Sequence, residues 1–168
     1  MEVAARPATP NDIDIIVSLY RDLETEMANL TDIWPLADGL AEPIAEAAGA
    51  FIDDPGAWVY VGQIDAYPVG FLIARSDALL PQAGKERLAS VQLIFTEPEA
   101  RGVGVGEAMI VSLLGDAAAS GHRRFDGNAP PGHREAKSFF ESHGFTARRI
   151  VLHRNEPTPA STEIGDSL

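Results

Sequence analysis

Gly102, Gly104 and Gly106 alternate along the stretch Arg101-Gly102-Val103-Gly104-Val105-Gly106. This stretch joins an extended apolar run ending at Thr96 to a helical apolar run over residues 108–119. A strand that turns through glycines straight into a helix leaves few architectures open. Glycine lets backbone N–H groups turn inward with no Cβ in the way. The helix that follows contributes unpaired N–H groups and a partial positive charge at its start. Together these make a cradle for a phosphate or diphosphate. Two familiar phosphate loops do not fit it. The dinucleotide fingerprint G-x-G-x-x-G needs a third glycine where Glu107 stands, and the P-loop needs G-K-[ST] where the chain reads Gly106-Glu107-Ala108.

The flanking pattern sets the cradle in an α/β chain. Capping groups in Thr9-Pro10-Asn11-Asp12 precede Ile13, Ile16, Val17, Tyr20, Leu23 and Met27 at helical spacing. A second short helix is expected over residues 41–53. Strands are expected over 58–64 and 69–76, joined as a hairpin by Asp65-Ala66-Tyr67-Pro68, and a long one over 87–96. Beyond the glycines come a short strand over 122–128, a helix over 134–142 closed by Gly144, and a last strand over 147–153. The tail from Asn155 has two prolines and few apolar residues, which predicts loose order. No repeat or linker divides the chain. We expect one domain over 1–154 and a tail over 155–168.

Composition removes several function classes. With no cysteine there is no disulfide, no thiolate metal site and no cysteine nucleophile, and no metal site is expected. No apolar run approaches the roughly 18 residues that span a bilayer, so no membrane partner is expected. Residues 1–6 lack the apolar stretch of a secretory signal, which makes the cytoplasm the expected compartment. A formal net charge of −12 argues against nucleic acid as a partner. The charge is uneven: residues 1–121 carry 6 Lys/Arg against 19 Asp/Glu, whereas 122–154 carry 7 against 3. That distribution suits an anionic ligand on one side and a cationic one on the other, although simple solubility charge would look the same.

The loop 101–106 matches the pattern Arg/Gln-x-x-Gly-x-Gly/Ala. About 30 residues on, Ala136-x-x-Phe139-Phe140-Glu141-Ser142-His143-Gly144-Phe145 is similar to an Ala-x-x-Leu/Phe-Tyr-Glu-Lys-Leu-Gly-Phe ending. With these motifs and the element order, residues 3–154 resemble the GCN5-related N-acetyltransferase (GNAT) superfamily. The resemblance implies a mixed, mostly antiparallel twisted sheet of six to seven strands, flanked by about four helices, with a splayed parallel pair formed by 87–96 and 122–128. It implies acetyl-CoA as acetyl donor, held in that splay. Backbone amides of Arg101, Gly102, Val103, Gly104, Val105 and Gly106 would hold its diphosphate. Backbone groups of Ile94, Phe95 and Thr96, next to a strand bulge, would pair with the pantetheine arm and polarise the thioester carbonyl. Phe140 and Lys137 would border the cofactor, Lys137 either meeting a phosphate or standing in solvent. The Arg101 side chain has two readings, phosphate ligand or surface residue with only its backbone engaged.

The chain departs from the family pattern at the acid and base. Many relatives carry a tyrosine where Phe140 stands and commonly an asparagine where His133 stands, so the acid role is open: His133, Ser138 or water, or none, since a thiolate is a tolerable leaving group near neutral pH. Relatives often use a strand glutamate as base where this chain has Gln92, which can orient water but cannot take a proton at neutral pH. Glu97 is the nearest carboxylate in sequence, with a solvated turn residue as the alternative. Asp22, Glu24, Glu26, Asp32, Asp38, Glu42 and Glu46 make the acceptor region acidic, which points to a cationic small-molecule amine or to solvated helix faces. Trp34, Trp58 and Tyr60 line the pocket or pack the core. The function implied is N-acetylation by direct amine attack. The alternative is a non-catalytic acyl-CoA sensor on the same fold. A homodimer is expected by analogy.

Overall fold

The computed structural model describes residues 1–160 except Trp34 and Leu36. The expectation for Trp34 and that for 161–168 therefore lie outside the described residues. Strand β1 (Val3–Pro7) leads through a short 3₁₀ turn into helix α1 (Ile13–Leu30) and helix α2 (Ile44–Asp53). Strands β2 (Ala57–Ile64), β3 (Tyr67–Ala78) and β4 (Arg87–Thr96) follow, then α3 (Val105–Ala119), β5 (Arg124–Gly127) and α4 (Arg134–Ser142).

The sheet runs β1-β2-β3-β4-β5, antiparallel throughout except for the parallel pair β4–β5. The β2–β3 connection is tighter than expected. Ile64 pairs with Tyr67, and Asp65 and Ala66 both take positive φ, at 48° and 66°. Two central residues in that region form the hairpin turn whose twist matches the strands it joins.

Each face of the sheet is buried under a helix pair. Ile16, Leu19, Tyr20 and Met27 of α1 pack with Ala48 of α2 on Val59, Val61, Phe71, Ile73, Leu93 and Phe95. On the other face Val105, Met109, Ile110 and Leu113 of α3 and Phe140 of α4 pack on Tyr60, Leu72, Ala74, Ala89 and Val91. Along β4 the buried residues change sides: Ala89 and Val91 face α3, whereas Leu93 and Phe95 face α1. A regular strand would put all four on one face. The switch is made by a bulge, since Ala74 pairs with Val91 and Ile73 with Leu93, leaving Gln92 as the extra residue.

Five strands are present among the described residues, fewer than the six to seven expected. The expected strand over 147–153 does not form. Its link to β5 is an ion pair, Arg148 donating to both oxygens of Asp126 at 2.8 and 2.5 Å, and no ladder follows. Ile150, Val151 and Leu152 stand 78%, 76% and 90% exposed. The run has three consecutive apolar residues in place of the period-2 alternation that would put one face on a core, and β5 offers only four residues of edge. The expected strand over 122–128 is correspondingly shorter, at Arg124–Gly127.

Candidate active site

The site is built where β4 and β5 part. Their parallel pairing runs from Leu88↔Arg124 to Val91↔Gly127 and stops there. Beyond the Gln92 bulge the outer edge of β4 has no strand partner among the described residues. Which groups it presents follows from the ladder. Glu97 N donates to Val69 O at 2.9 Å, so alternation turns the peptide groups of Phe95 toward β3 and those of Ile94 and Thr96 outward. Of the three residues expected to offer backbone groups, Ile94 and Thr96 therefore have them on the open edge. Phe95 spends its backbone on β3 and its side chain in the core, at 4% exposed.

After Thr96 a short 3₁₀ turn, Pro98–Ala100, delivers the chain to the glycines. Gly102 and Gly104 take φ of 79° and 99°, a region that excludes most side chains. Gly104 is the N-cap of α3 and has no side chain to cap it. The first intrahelical bond is Ala108 N to Gly104 O at 2.9 Å, which leaves the N–H groups of Val105, Gly106 and Glu107 without helical acceptors. Val105 is 1% exposed, anchoring this turn on the sheet. The loop thus presents an uncapped helix N-terminus beside the parted strands, with backbone amides as the donors an anion would meet.

Two aromatics of α4 back the parted strands. Phe140 is 4% exposed, sealed against Phe139 and Phe145 at ring-centroid distances of 5.6 and 5.1 Å. Phe139 lies over Gly106, where a Cβ would come 3.1 Å from its ring. Lys137 is exposed on the same helix and pairs with Glu141 one turn on.

The Arg101 side chain, 32% exposed, folds back onto the protein. Nε donates to Thr96 O at 2.9 Å, Nη2 to Glu26 at 2.6 Å and Nη1 to Glu135 at 3.3 Å, with the guanidinium 5.6 Å from the Phe95 ring centroid. A cavity of about 370 Å³ opens here, lined in part by Glu26, Asn29, Arg101, His133 and Glu135. His133 caps α4: its Nδ1 accepts from Ala136 N at 3.1 Å, which places the proton of the neutral ring on Nε2, 3.7 Å from Glu26. The sequence contained no signal for this cluster, because residues 26, 101 and 135 are brought together only by the packing of α1 and α4 around the end of β4.

Gln92 sits in the bulge with Nε2 donating to Ser90 Oγ at 3.0 Å. Glu97 stands at the end of β4, partly buried, and no hydrogen bond reaches its carboxylate among the described residues. Partial burial, with the charges of Asp22 and Glu99 nearby, pushes that carboxyl above its ordinary range. Of the other acidic residues, Glu24 and Glu42 are held by Arg21, at 2.7 Å each. Trp58 and Tyr60 belong to the sheet core: Tyr60 is 2% exposed, and Trp58 packs edge-on to His122 at 5.1 Å.

The sequence matches the model of the acetyltransferase (GNAT) family over residues 17–145. No curated protein matches the chain. Among solved structures, it is similar to a ribosomal-protein-alanine N-acetyltransferase from Brucella melitensis biovar Abortus 2308, with TM-score 0.67, 18% identity, and 93% of this chain and 100% of that one covered. It is similar to a predicted acetyltransferase from Clostridium acetobutylicum solved with acetyl-CoA, with TM-score 0.69, 16% identity and coverage of 92% and 96%. A third is an aminoglycoside acetyltransferase from an uncultured soil metagenomic sample solved with sisomicin, with TM-score 0.67, 17% identity and coverage of 93% and 96%. At these identities the structures speak for the fold, and the family match covers most of the chain: it belongs to the GNAT acetyltransferase family.

Proposed function

We propose that the chain is an acetyl-CoA-dependent N-acetyltransferase acting on a cationic small-molecule amine. The observation that carries this reading is the uncapped N-terminus of α3 beside the open edge of β4. Acetyl-CoA supplies the acetyl group as a thioester. Of the backbone N–H groups expected over 101–106, that of Arg101 is taken by Pro98 O at 3.3 Å and those of 102–106 bind its diphosphate, while the outward peptide groups of Ile94 and Thr96 orient the pantetheine arm. Phe140 borders the cofactor as an apolar wall, and Lys137 contributes at most long-range charge.

In the reaction the amine nitrogen bonds to the acetyl carbon, the carbon–sulfur bond breaks, and the thiolate leaves to be protonated by water. An alkylammonium of pKa about 10 must first lose a proton. Glu97 is the base in this reading, supported by its unpaired carboxylate and raised pKa; Gln92 positions water or substrate from the bulge. The acidic surface of α1 and the aminoglycoside bound by one structural relative support a cationic acceptor. Release of free thiol from acetyl-CoA across a panel of amines tests the reading. Turnover with polyamines or amino sugars supports it, and preference for neutral or anionic amino acids removes the cationic acceptor.

One observation favours a second reading, a non-catalytic acyl-CoA sensor. Phe140 offers no hydroxyl where the family ending has tyrosine, and Gln92 no carboxylate. Binding of acetyl-CoA without thiol release across the panel would establish it.

The same reading holds the chain to be one domain over 1–154, in the cytoplasm, and a homodimer. No helix among the described residues is long and apolar enough to cross a membrane. The exposed Ile150-Val151-Leu152 beside the four-residue edge strand β5 supports self-association, and light scattering after gel filtration tests it.

A further inference from the structure

Arg101 is the first residue of the glycine loop, yet its guanidinium is spent on the protein. It closes the mouth of the parted strands from three sides: the outward carbonyl of Thr96 on β4, Glu26 of α1 on one face of the sheet, and Glu135 of α4 on the other. Thr96 O is one of the two outward carbonyls a pantetheine arm would need. Glu26 lies one turn from Asp22 on α1, the helix face that turns toward Glu97. The cation is outnumbered by its partners, two carboxylates to one guanidinium. The other Glu26 oxygen faces His133 Nε2, at 3.7 Å.

We propose that Arg101 and Glu26 form an exchangeable latch, in which the diphosphate of coenzyme A takes the guanidinium from Glu26 and Glu135. This rests on the acetyl-CoA reading above and adds to it a positioning residue, Arg101, and an acceptor-side residue, Glu26. A diphosphate arriving at residues 102–106 brings concentrated negative charge within reach of the side chain at 101. Rotation of Arg101 onto the phosphate uncovers the Thr96 carbonyl and the Glu26 carboxylate together. The cationic acceptor then finds Glu26 free only in the cofactor complex, so cofactor binds first and amine second. In the cofactor-free chain the latch neutralises Glu26 and keeps a stray cation from occupying the site.

The sign of one substitution decides the matter. Glu26→Gln removes the competitor for Arg101 while keeping the helix face and side-chain length. Calorimetric titration with coenzyme A at neutral pH is expected to show binding about 3- to 10-fold tighter than in the parent. Glu135→Gln is expected to act in the same direction but more weakly, since Glu135 is 76% exposed. Pantetheine, which lacks the diphosphate, is expected to show no tightening with either variant. In an Arg101→Gln background Glu26→Gln is expected to have no further effect on coenzyme A binding.

Unchanged or weaker coenzyme A binding by Glu26→Gln overturns the latch, as does equal tightening of pantetheine. If Glu26→Gln folds poorly by circular dichroism, the Arg101 Nε–H resonance of the parent, assigned with Arg101→Lys, serves in its place. It must shift when coenzyme A is added, and a resonance indifferent to coenzyme A overturns the latch. Failure of the parent to bind coenzyme A at all would sink the acetyl-CoA reading instead, so the two failures are distinguishable.

Discussion

The Phe140 ring occupies the space in which a side chain at position 127 would begin: a Cβ on Gly127 would lie 2.3 Å from Phe140 Cε1 and 2.7 Å from Cζ. The last residue of β5 and the buried ring of α4 are therefore fitted to each other at the point where β4 and β5 part. Gly127→Ala must push the ring, which is itself wedged between Phe139 and Phe145, into occupied core. The expected loss is about 1–3 kcal/mol in chemical denaturation, the range for an overpacked site. Phe140→Ala empties the same space and is expected to cost about 3–5 kcal/mol. The double variant should recover part of the Gly127→Ala penalty, because the clash has gone.

Gly104 holds φ at 99° as N-cap of α3. A Cβ there would meet nothing within 4 Å, so the penalty of substitution is conformational and not steric contact with the core. Gly104→Ala is expected to lower stability by about 1–2 kcal/mol, the cost of a left-handed residue other than glycine. Coenzyme A binding should weaken by more than that loss of stability accounts for, since relaxation of φ turns the neighbouring amides. Thermal melts with and without coenzyme A separate the two effects.

Much of this site was legible in the sequence because its signals are local. Alternating glycines between an extended run and an apolar helix fix a turn whose amides must point somewhere, and the structure puts the loop at an uncapped helix start. Helix α4 came out at Arg134–Ser142 from its spacing and the glycine that follows. The bulge expected next to Ile94–Thr96 falls at Gln92; the residue that bulges was not legible, because a bulge is defined by the partner strand and β3 pairing is not written in β4. The Arg101 cluster was illegible for the same reason at longer range: residues 26, 101 and 135 share no pattern. The run over 147–153 shows the opposite failure. A strand was expected there, but a strand needs an edge to pair with, and this chain joins β5 there by one ion pair.

The first turn of the chain supplies a pH-dependent contribution to stability. Asp12, 6% exposed, accepts from both terminal nitrogens of Arg6, at 2.8 and 2.7 Å, and from Thr9 N at 2.7 Å. The bonds to Arg6, more than those from Thr9, hold its carboxyl at about 2, below the ordinary 3.8. A carboxyl depressed on folding adds stability that is full above its unfolded value and is lost as pH falls through the folded one. The contribution should therefore be intact above pH ~4–5 and gone near pH ~2. Arg6 is partly solvated, so Asp12→Asn is expected to cost about 1–2 kcal/mol at pH 7. The gap between variant and parent should close as denaturation is repeated at lower pH.

The Glu97 carboxyl moves the other way, and the consequence is catalytic. Burial at the end of β4 disfavours its charge, and Asp22 and Glu99 oppose it further, so it gains a proton at a higher pH than a solvated glutamate. A base must be unprotonated to act, so kcat/KM for an amine should fall on the acid side through a pKa above the ordinary glutamate range. Asp22→Asn removes one of the opposing charges and should move that limb to lower pH. Glu97→Gln should lower the plateau by about 10²–10⁴-fold, the range for loss of a general base, and abolish the limb. The binding of coenzyme A should be unaffected, since Glu97 lies outside the glycine loop. If Glu97→Gln keeps the parent rate and the parent limb, the proton leaves by another route, and water ordered by Gln92 at the bulge becomes the group to vary.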